Sequence, residues 1–591
     1  MKIDTNKKLA GILVPAFALR SENDLGIGDT KAVKEAIDFC HDNNFGALQL
    51  LPINETGNDN SPYNTISAVA LDPVYIHMST EALDIAPDTV PGLTKEDLNQ
   101  TISASEASFT VIDYKKVKGT KLILLQKAFT AFESGKITNY TYLKNEFEKF
   151  ERENIEWLPD YALFRTIVAH KNGDAHWTKW ETDLKSIDNA RSWIARPGQE
   201  QTKKLCRFYS YVQWIIHRQW LDVKNHADKQ NVKLVGDIPF GVSRYSADVW
   251  AHPDLFDLQW SGGAPPERFF QADEFTAIWG QNWGIPLYRW TIHEKQNYRW
   301  WDRRVRQVTN YFHGFRLDHV LGFFRIYAFP WLPEENHKFT HLPPAEAEKI
   351  TGGPLPQFMP RNDDTTDSAL LNCQEGEARL KVIIKAAAGA FVIAEDLGVV
   401  PEYVRPTLKK LGIPGFSIPL FERNESDRSF VASTELPALN LGTYGTHDNE
   451  PLASYYESLV NWWHSQDGHN GWLEIQRLMR FLHLDENNPP AIYTDKLACT
   501  FFKVLFATPC WLIVLMITDL LGTKQRFNRP GTHDAANWSE RLEKPLVQYA
   551  LDHKYAEKIN FVRELILQTK RQPYPLSKSH LAQLPATKLS N

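Results

Sequence analysis

No stretch of this sequence is apolar for long enough to cross a bilayer. The longest apolar run, Cys510–Ile517, falls well short of the ~20 residues that a membrane helix needs. Cysteine is scarce and unpaired in pattern. Cys40, Cys206, Cys373, Cys499 and Cys510 are scattered, odd in number and without a C-x-x-C pair. That excludes a disulfide framework or a zinc ribbon and fits a reducing compartment, so the expected address is the cytoplasm. No excess of positive charge is present. The net charge of −6 supplies no basic field for nucleic acid. Neither H-x-H nor H-E-x-x-H occurs, no G-x-G-x-x-G opens the chain, and neither a P-loop nor a G-x-S-x-G elbow is present. The expectation is an enzyme with no metal, no cofactor and no nucleic-acid or membrane partner. Internal repeats are also absent. The first apolar stretch follows Asp4 and has no small-residue cleavage site, so it reads as a first strand and not a signal peptide.

What is present is a long, aromatic-rich chain. Its 591 residues exceed the ~250–300 at which a single core usually stops growing, and 12% are aromatic, including 19 Trp. Most of those rings belong in a core, while some are free to lie against the apolar faces of sugars.

Eight short apolar runs punctuate the chain: Leu9–Leu19, Ala47–Ile53, Lys233–Phe240, Gly314–Val320, Phe391–Leu397, Gly415–Phe421, Leu441–Asn449 and Cys510–Asp519. Most are apolar on both faces, as parallel strands under helices should be. Several end in Asp, Glu or His, and helix-like stretches follow. Buried strand, charged tip, then helix is the pattern of a (β/α)8 TIM barrel, whose active face lies at the C-terminal strand ends. A doubly wound open sheet is the weaker alternative, because the charged tips are spread over many strands.

The spacing is uneven. Residues 1–80 read as the start of the barrel and 81–206 as a large, mainly helical insertion between strands two and three. Residues 207–575 read as the remainder, with an excursion of loops and short helices at 332–377, rich in Pro, Asp, Asn and Thr, on the active face. A polar tail is expected at 576–591.

Three strand tips carry the chemistry. On the fourth strand, Arg316 and Asp318 are two apart and share a face. A guanidinium beside a carboxylate favours its ionised form, the state a nucleophile needs. A purely structural Arg–Asp pair is the alternative. Glu395 ends the next strand, where burial and repulsion from Asp318 would suit a general acid; a satisfied barrel carboxylate is the alternative. Its neighbour Asp396 faces the other way and reads as a cap. His447 and Asp448 stand at the end of the seventh strand and could hold sugar hydroxyls. A second Thr-His-Asp run at 532–534 lies in a Gly/Asn/Pro-rich loop and carries little weight. Together, three carboxylates and an Arg at one barrel mouth form the equipment of a retaining glycosidase with an oxocarbenium-like transition state.

At this point the chain resembles the 4-α-glucanotransferases, the amylomaltase or disproportionating-enzyme family of α-amylase-like barrels. The resemblance runs from about Leu9 to Leu567. It rests on Ser61-Pro62-Tyr63, Gly236-Asp237-Ile238-Pro239, Arg316-Leu317-Asp318-His319 with Gly322, Ala394-Glu395-Asp396-Leu397-Gly398, Gly445-Thr446-His447-Asp448-Asn449 and Asn528-Arg529-Pro530-Gly531. The run Gly280-Gln281-Asn282-Trp283-Gly284 with Pro286 and Tyr288 is similar to the family's segment over the cleft.

The resemblance implies Asp318 as nucleophile, Glu395 as acid/base and Asp448 as transition-state stabiliser. It implies that Arg316, His447, His319, Tyr63, Ser61, Asp237, Glu267, Trp283 and Asn528 bind substrate. Malto-oligosaccharides, glucose or a soluble glucan are the implied donors and acceptors. Two features depart from the family pattern. Pro265-Pro266-Glu267 stands where the family has Pro-Pro-Asp, and the stretch between Asp318 and Glu395 is long, similar to the plant-cytosol-like branch. A hydrolase on the same scaffold and a non-catalytic glucan-binding protein are the rival readings. Oligomeric state is not legible.

Overall fold

The structure is a computed structural model that describes residues 3–80, 85–102, 110–267, 273–532 and 536–573. The tail expected at 576–591 lies outside the described residues, as do the His and Asp of the second Thr-His-Asp run. Among the described residues, twelve strands are present in chain order. They are β1 (Leu9–Leu13), β2 (Ala47–Gln49), β3 (Lys233–Ile238), β4 (Phe256–Ala264), β5 (Gln281–Tyr288), β6 (Gly314–Leu317), β7 (Ile326–Phe329), β8 (Gln357–Met359), β9 (Phe391–Ala394), β10 (Phe416–Ser417), β11 (Leu441–Gly442) and β12 (Leu512–Met516).

Eight of them form one parallel sheet in the order β10-β11-β12-β1-β2-β3-β6-β9. These are the eight runs expected from the sequence, each beside its chain neighbour, as in a (β/α)8 barrel. The remaining gap is bridged where the Ala394 N–H donates to Pro414 O (2.8 Å). The Phe416 N–H donates to Asp396 Oδ1 at 2.7 Å. Asp396 therefore uses its outward-facing carboxylate to tie β10 to β9. The strands are apolar because both faces are covered. β12 is buried at every position, and β1 at all but its first residue.

The helices follow from spacing and caps. In Thr30–Asp42, Val33, Ala36, Ile37 and Cys40 fall on one buried face, and Asp29 caps the start by accepting the Ala32 N–H at 3.1 Å. Between β2 and β3 the chain runs through helices that include Tyr114–Glu133, Tyr140–Glu153, Leu158–His170 and Glu200–Lys229. The last of these carries Trp214 and Trp220, both fully buried.

A second sheet, antiparallel with the order β5-β4-β7-β8, did not appear in the sequence reading. β4 and β5 leave the barrel after β3; β7 and β8 leave it after β6. They meet through pairs such as Gly263–Tyr327 and Tyr327–Phe358. Gly263 permits the close packing, since a Cβ there would lie 1.9 Å from Gln281 O. The 332–377 excursion thus holds more than loops and short helices. It contains β8 and the start of the 21-residue helix Thr366–Ala386. Among the described residues, no helix is long and apolar enough to cross a membrane.

Candidate active site

The C-terminal ends of the barrel strands open into a cleft of about 1540 Å³, lined on one flank by β4, β5, β7 and β8. Asp318 follows the last residue of β6, and Glu395 the last of β9. β6 and β9 are paired neighbours, with Leu317 opposite Ala394. Arg316 lies between the two carboxyls. Its Nη1 is 2.8 Å from Asp318 Oδ1, and its Nη2 is 3.7 Å from Glu395 Oε2. The parity expected on β6 is therefore present: Arg316 and Asp318 share a face and touch.

Asp318 keeps part of its side chain open to the cleft (23% exposed). Its Oδ2 accepts the Phe240 N–H at 3.2 Å. Glu395 is more enclosed, with 10% of its side chain exposed. It accepts two backbone N–H groups, His319 to Oε2 and Leu397 to Oε1, both at 2.9 Å. His319 adopts a left-handed backbone (φ 41°), a conformation costly for a residue with a Cβ. That turn aims its N–H at Glu395. Burial pushes the Glu395 carboxyl up to about 7. Arg316 and the two N–H donors oppose the rise, and Asp318 adds to it.

Asp237, at the end of β3, completes the charge cluster. Arg316 Nη1 donates to its Oδ1 (3.0 Å) and Oδ2 (2.9 Å), and the Tyr63 hydroxyl donates to Oδ2 (2.8 Å). Burial raises this carboxyl too, to about 7, against Arg316 and with Asp318. Its side chain is fully buried and does not line the cleft. This departs from the sugar-contact position expected for it. Strand parity tells which side of a sheet a residue faces and says nothing of depth, and here Tyr63 and Arg316 lie between Asp237 and the opening.

The third carboxylate, Asp448, sits beyond β11 on a loop and not at the strand tip itself. Asn528 Nδ2 donates to Asp448 Oδ1 at 2.6 Å, and His447 Nε2 lies 3.3 Å from Oδ2. His447 is buried, which holds its imidazole toward the neutral form. Its ring stacks on Tyr63, with centroids 5.0 Å apart and planes 9° apart. Ser61, whose Oγ accepts the Tyr63 N–H at 3.3 Å, borders the same opening.

Across the cleft, Trp283 is 36% exposed and meets the His319 ring edge-on at 4.9 Å. Burial lowers the His319 imidazole to about 4, so it is neutral. Glu267 accepts the Val399 N–H and packs against Gly398, just past Glu395; burial raises its carboxyl. The longer side chain at the Pro-Pro-Glu position thus reaches the backbone of the acid-bearing loop.

Of the residues expected to catalyse or to bind substrate, all but Asp237 border the cleft. The sequence reading passed over other residues of the cleft, among them Trp538, Arg325, Tyr327 and Phe358. Trp538 lies 5.8 Å from the His447 ring and 5.9 Å from Tyr63. Its signal was the Asn528-Arg529-Pro530-Gly531 run shortly before it. The other three sit on or beside the unforeseen second sheet, and nothing in their sequence marked them.

Comparison with known proteins shows the family and the fold. The 4-alpha-glucanotransferase family profile, Glyco_hydro_77, matches residues 14–547. The 4-alpha-glucanotransferase of Chlamydia pneumoniae is 30% identical over 572 residues, covering 93% of this chain and 94% of that one. The 4-alpha-glucanotransferase DPE2 of Oryza sativa subsp. japonica is 34% identical over 326 residues, covering 54% of this chain and 32% of the relative. Among solved structures, the amylomaltase from Streptococcus agalactiae in complex with acarbose shares the fold, with a TM-score of 0.73 at 22% identity. That match covers 96% of this chain and 100% of the other. The match over nearly the whole chain means that the chain belongs to the 4-alpha-glucanotransferase family.

Proposed function

We propose that this chain moves α-1,4-glucan segments or glucosyl units between malto-oligosaccharides, glucose or a soluble glucan by a retaining double displacement. The observation that carries the reading is that Asp318 and Glu395 meet on one Arg316 guanidinium at the mouth of the barrel.

In the first step Asp318 Oδ attacks the anomeric carbon while Glu395 gives its proton to the departing glycosidic oxygen. The C–O bond to the leaving sugar breaks, and a glucosyl ester on Asp318 forms. In the second step Glu395, now ionised, takes the proton of an incoming 4-hydroxyl. That oxygen displaces Asp318, and configuration at the anomeric carbon is restored. The Glu395 carboxyl, raised by burial to about 7, supports the acid role, since a proton is available there near neutral pH. Asp448, held by Asn528 and His447, faces the positive charge that develops on the ring. Tyr63 and His447 offer stacked rings to the sugar face, and Trp283, His319, Glu267 and Ser61 border the glucan path. Asp237 acts one layer back, as a positioning residue that holds Arg316 and Tyr63.

The setting we propose is the cytoplasm, in keeping with five cysteines that are all unpaired. Incubation with maltotriose tests the activity. A ladder of longer and shorter oligomers with glucose is the expected product. Only shrinking products would mean a hydrolase, and no product a binding protein. Asp318→Asn should cost several orders of magnitude in kcat; near-normal turnover in that variant would overturn the assignment.

A further inference from the structure

The flank of the cleft built by the second sheet is a wall with no role in the two chemical steps. On and beside β7 and β8 it carries Arg325, Tyr327 and Phe358. Phe358 is held from two sides. The Arg325 guanidinium lies 3.5 Å from its ring centroid, and Tyr327 meets it edge-on at 5.2 Å and 71°. Arg325 is itself fixed, with Nε 2.8 Å from Asp363 Oδ2. Asp363 also accepts the Tyr403 hydroxyl at 3.2 Å and Asn372 Nδ2 at 2.8 Å. The guanidinium is therefore neutralised, and the wall is no anion trap. What it presents is a locked, half-exposed aromatic ring and a tyrosine hydroxyl with no hydrogen-bond partner among the described residues. A flat ring beside a free hydroxyl suits a neutral polyol with an apolar face. A ring already immobilised loses little freedom on binding.

Its place in the cleft says which part of the glucan it meets. The acid/base must touch the oxygen that leaves or arrives, so acceptor sugars lie on the Glu395 side of the reacting ring, away from Asp448. Just past Glu395, Gly398 and Val399 touch Glu267. Glu267 follows β4, whose Gly263 pairs with Tyr327, which pairs with Phe358. The wall thus continues the acceptor side outward.

We infer that Phe358 and Tyr327, with Arg325 holding the ring, form a subsite for acceptor sugars beyond the first, and that this subsite makes the protein prefer chains over glucose as acceptors. The inference rests on the transfer reaction proposed above.

The test uses the full chain with unlabelled maltotriose as donor and end-labelled glucose or maltotetraose as acceptor, with initial rates taken over acceptor concentration. Phe358→Ala should lower the ratio of kcat/KM for maltotetraose over glucose about tenfold, equivalent to about 1.4 kcal/mol, through KM for the longer acceptor. Phe358→Trp should hold the ratio within about twofold, because a flat ring remains. Phe358→Leu keeps apolar bulk under Arg325 without the flat face, and should lose the ratio as Phe358→Ala does. A ratio that stays at the wild-type value in Phe358→Leu, or rates that fall equally for both acceptors, would overturn the subsite. Failure of the underlying reaction looks different: the wild-type chain would transfer no label at all.

Discussion

Removing the charge of Arg316 should shift the pH dependence of the reaction upward, by an amount that the geometry sets. In the double displacement proposed above the first step needs Glu395 protonated, so kcat/KM should fall as pH rises through the Glu395 value, about 7 in the native site. Arg316 Nη2, 3.7 Å from Glu395 Oε2, favours the ionised carboxylate and holds that value down. At this separation Coulomb's law with an effective dielectric constant of ~20 gives roughly 4 kcal/mol. Relaxation and water entering the cleft reduce this, and a shift of about 1–3 units is the ordinary range for such a pair. Arg316→Gln should therefore move the alkaline limb of the maltotriose profile from about pH 7 to about pH 8–10. The peak rate should fall as well, because Asp318 and Asp237 lose the same guanidinium. Arg316→Lys separates charge from shape. It keeps the cation while losing the planar fork, so its limb should stay near that of the native enzyme even as the rate drops. Leaving buried carboxylates without their partner can cost ~3–5 kcal/mol of stability, so thermal unfolding should accompany each profile. An alkaline limb that does not move in a folded Arg316→Gln protein would refute the placement of Glu395 as the acid.

Two further outcomes follow from buried groups. Tyr63→Phe removes the donor to Asp237 at 2.8 Å while keeping the ring stacked on His447; a hydrogen bond to a charged group is worth ~1.5–3 kcal/mol. If Asp237 holds Arg316 through that contact, kcat should drop about tenfold or more with little change in KM, and a loss confined to KM would count against it. Asp519, buried in the short helix that follows β12, accepts the Leu452 N–H at 2.7 Å and is pushed up to about 7 by burial. Its folded value lies above its unfolded one, so its contribution to stability is full at low pH and is lost as pH rises toward 7. Asp519→Asn keeps an acceptor and removes the titration. Its stability relative to the native protein should improve by about 2–3 kcal/mol between pH 5 and pH 8, and a Tm difference that is constant over that range would contradict the reasoning.

The barrel was legible because its strands are buried on both faces, which writes each as an unbroken apolar run. Their lengths were less so. Leu441–Asn449 reads as one strand, yet only Leu441 and Gly442 join the ladder, and the rest is the loop that carries His447 and Asp448. The second sheet was hidden for the opposite reason. β4 runs Phe256–Ala264 through Asp257, Gln259, Ser261 and two glycines, a composition that looks like a loop. β7, Ile326–Phe329, is apolar or aromatic throughout and too short to show alternation. Within the site, the Arg316–Asp318 contact followed from two-residue parity. The Arg316–Asp237 contact depends on the register of β3 against β6, which sets Asp237 opposite Arg316, and a single sequence carries no register between strands.

The same base that activates an acceptor sugar would also activate water, and this bears on what makes such a barrel a transferase. With Glu395 near 7, its ionised form is available in the second step whichever nucleophile is present. Changing the pH alters how much of that base exists, and does so equally for a sugar hydroxyl and for water. The partition between transfer and hydrolysis is then decided by which nucleophile occupies the space beside Glu395. That depends on the cleft walls contributed by Glu267, Trp283 and the second sheet. The ratio of transfer to hydrolysis, read as oligomer yield against new reducing ends from maltotriose, should accordingly stay constant between pH 6 and pH 8 while the overall rate changes. It should fall in Trp283→Ala, where an exposed indole that lines the cleft is lost and water gains access. A ratio that follows pH in parallel with the rate would mean that protonation, and not occupancy, sets the outcome.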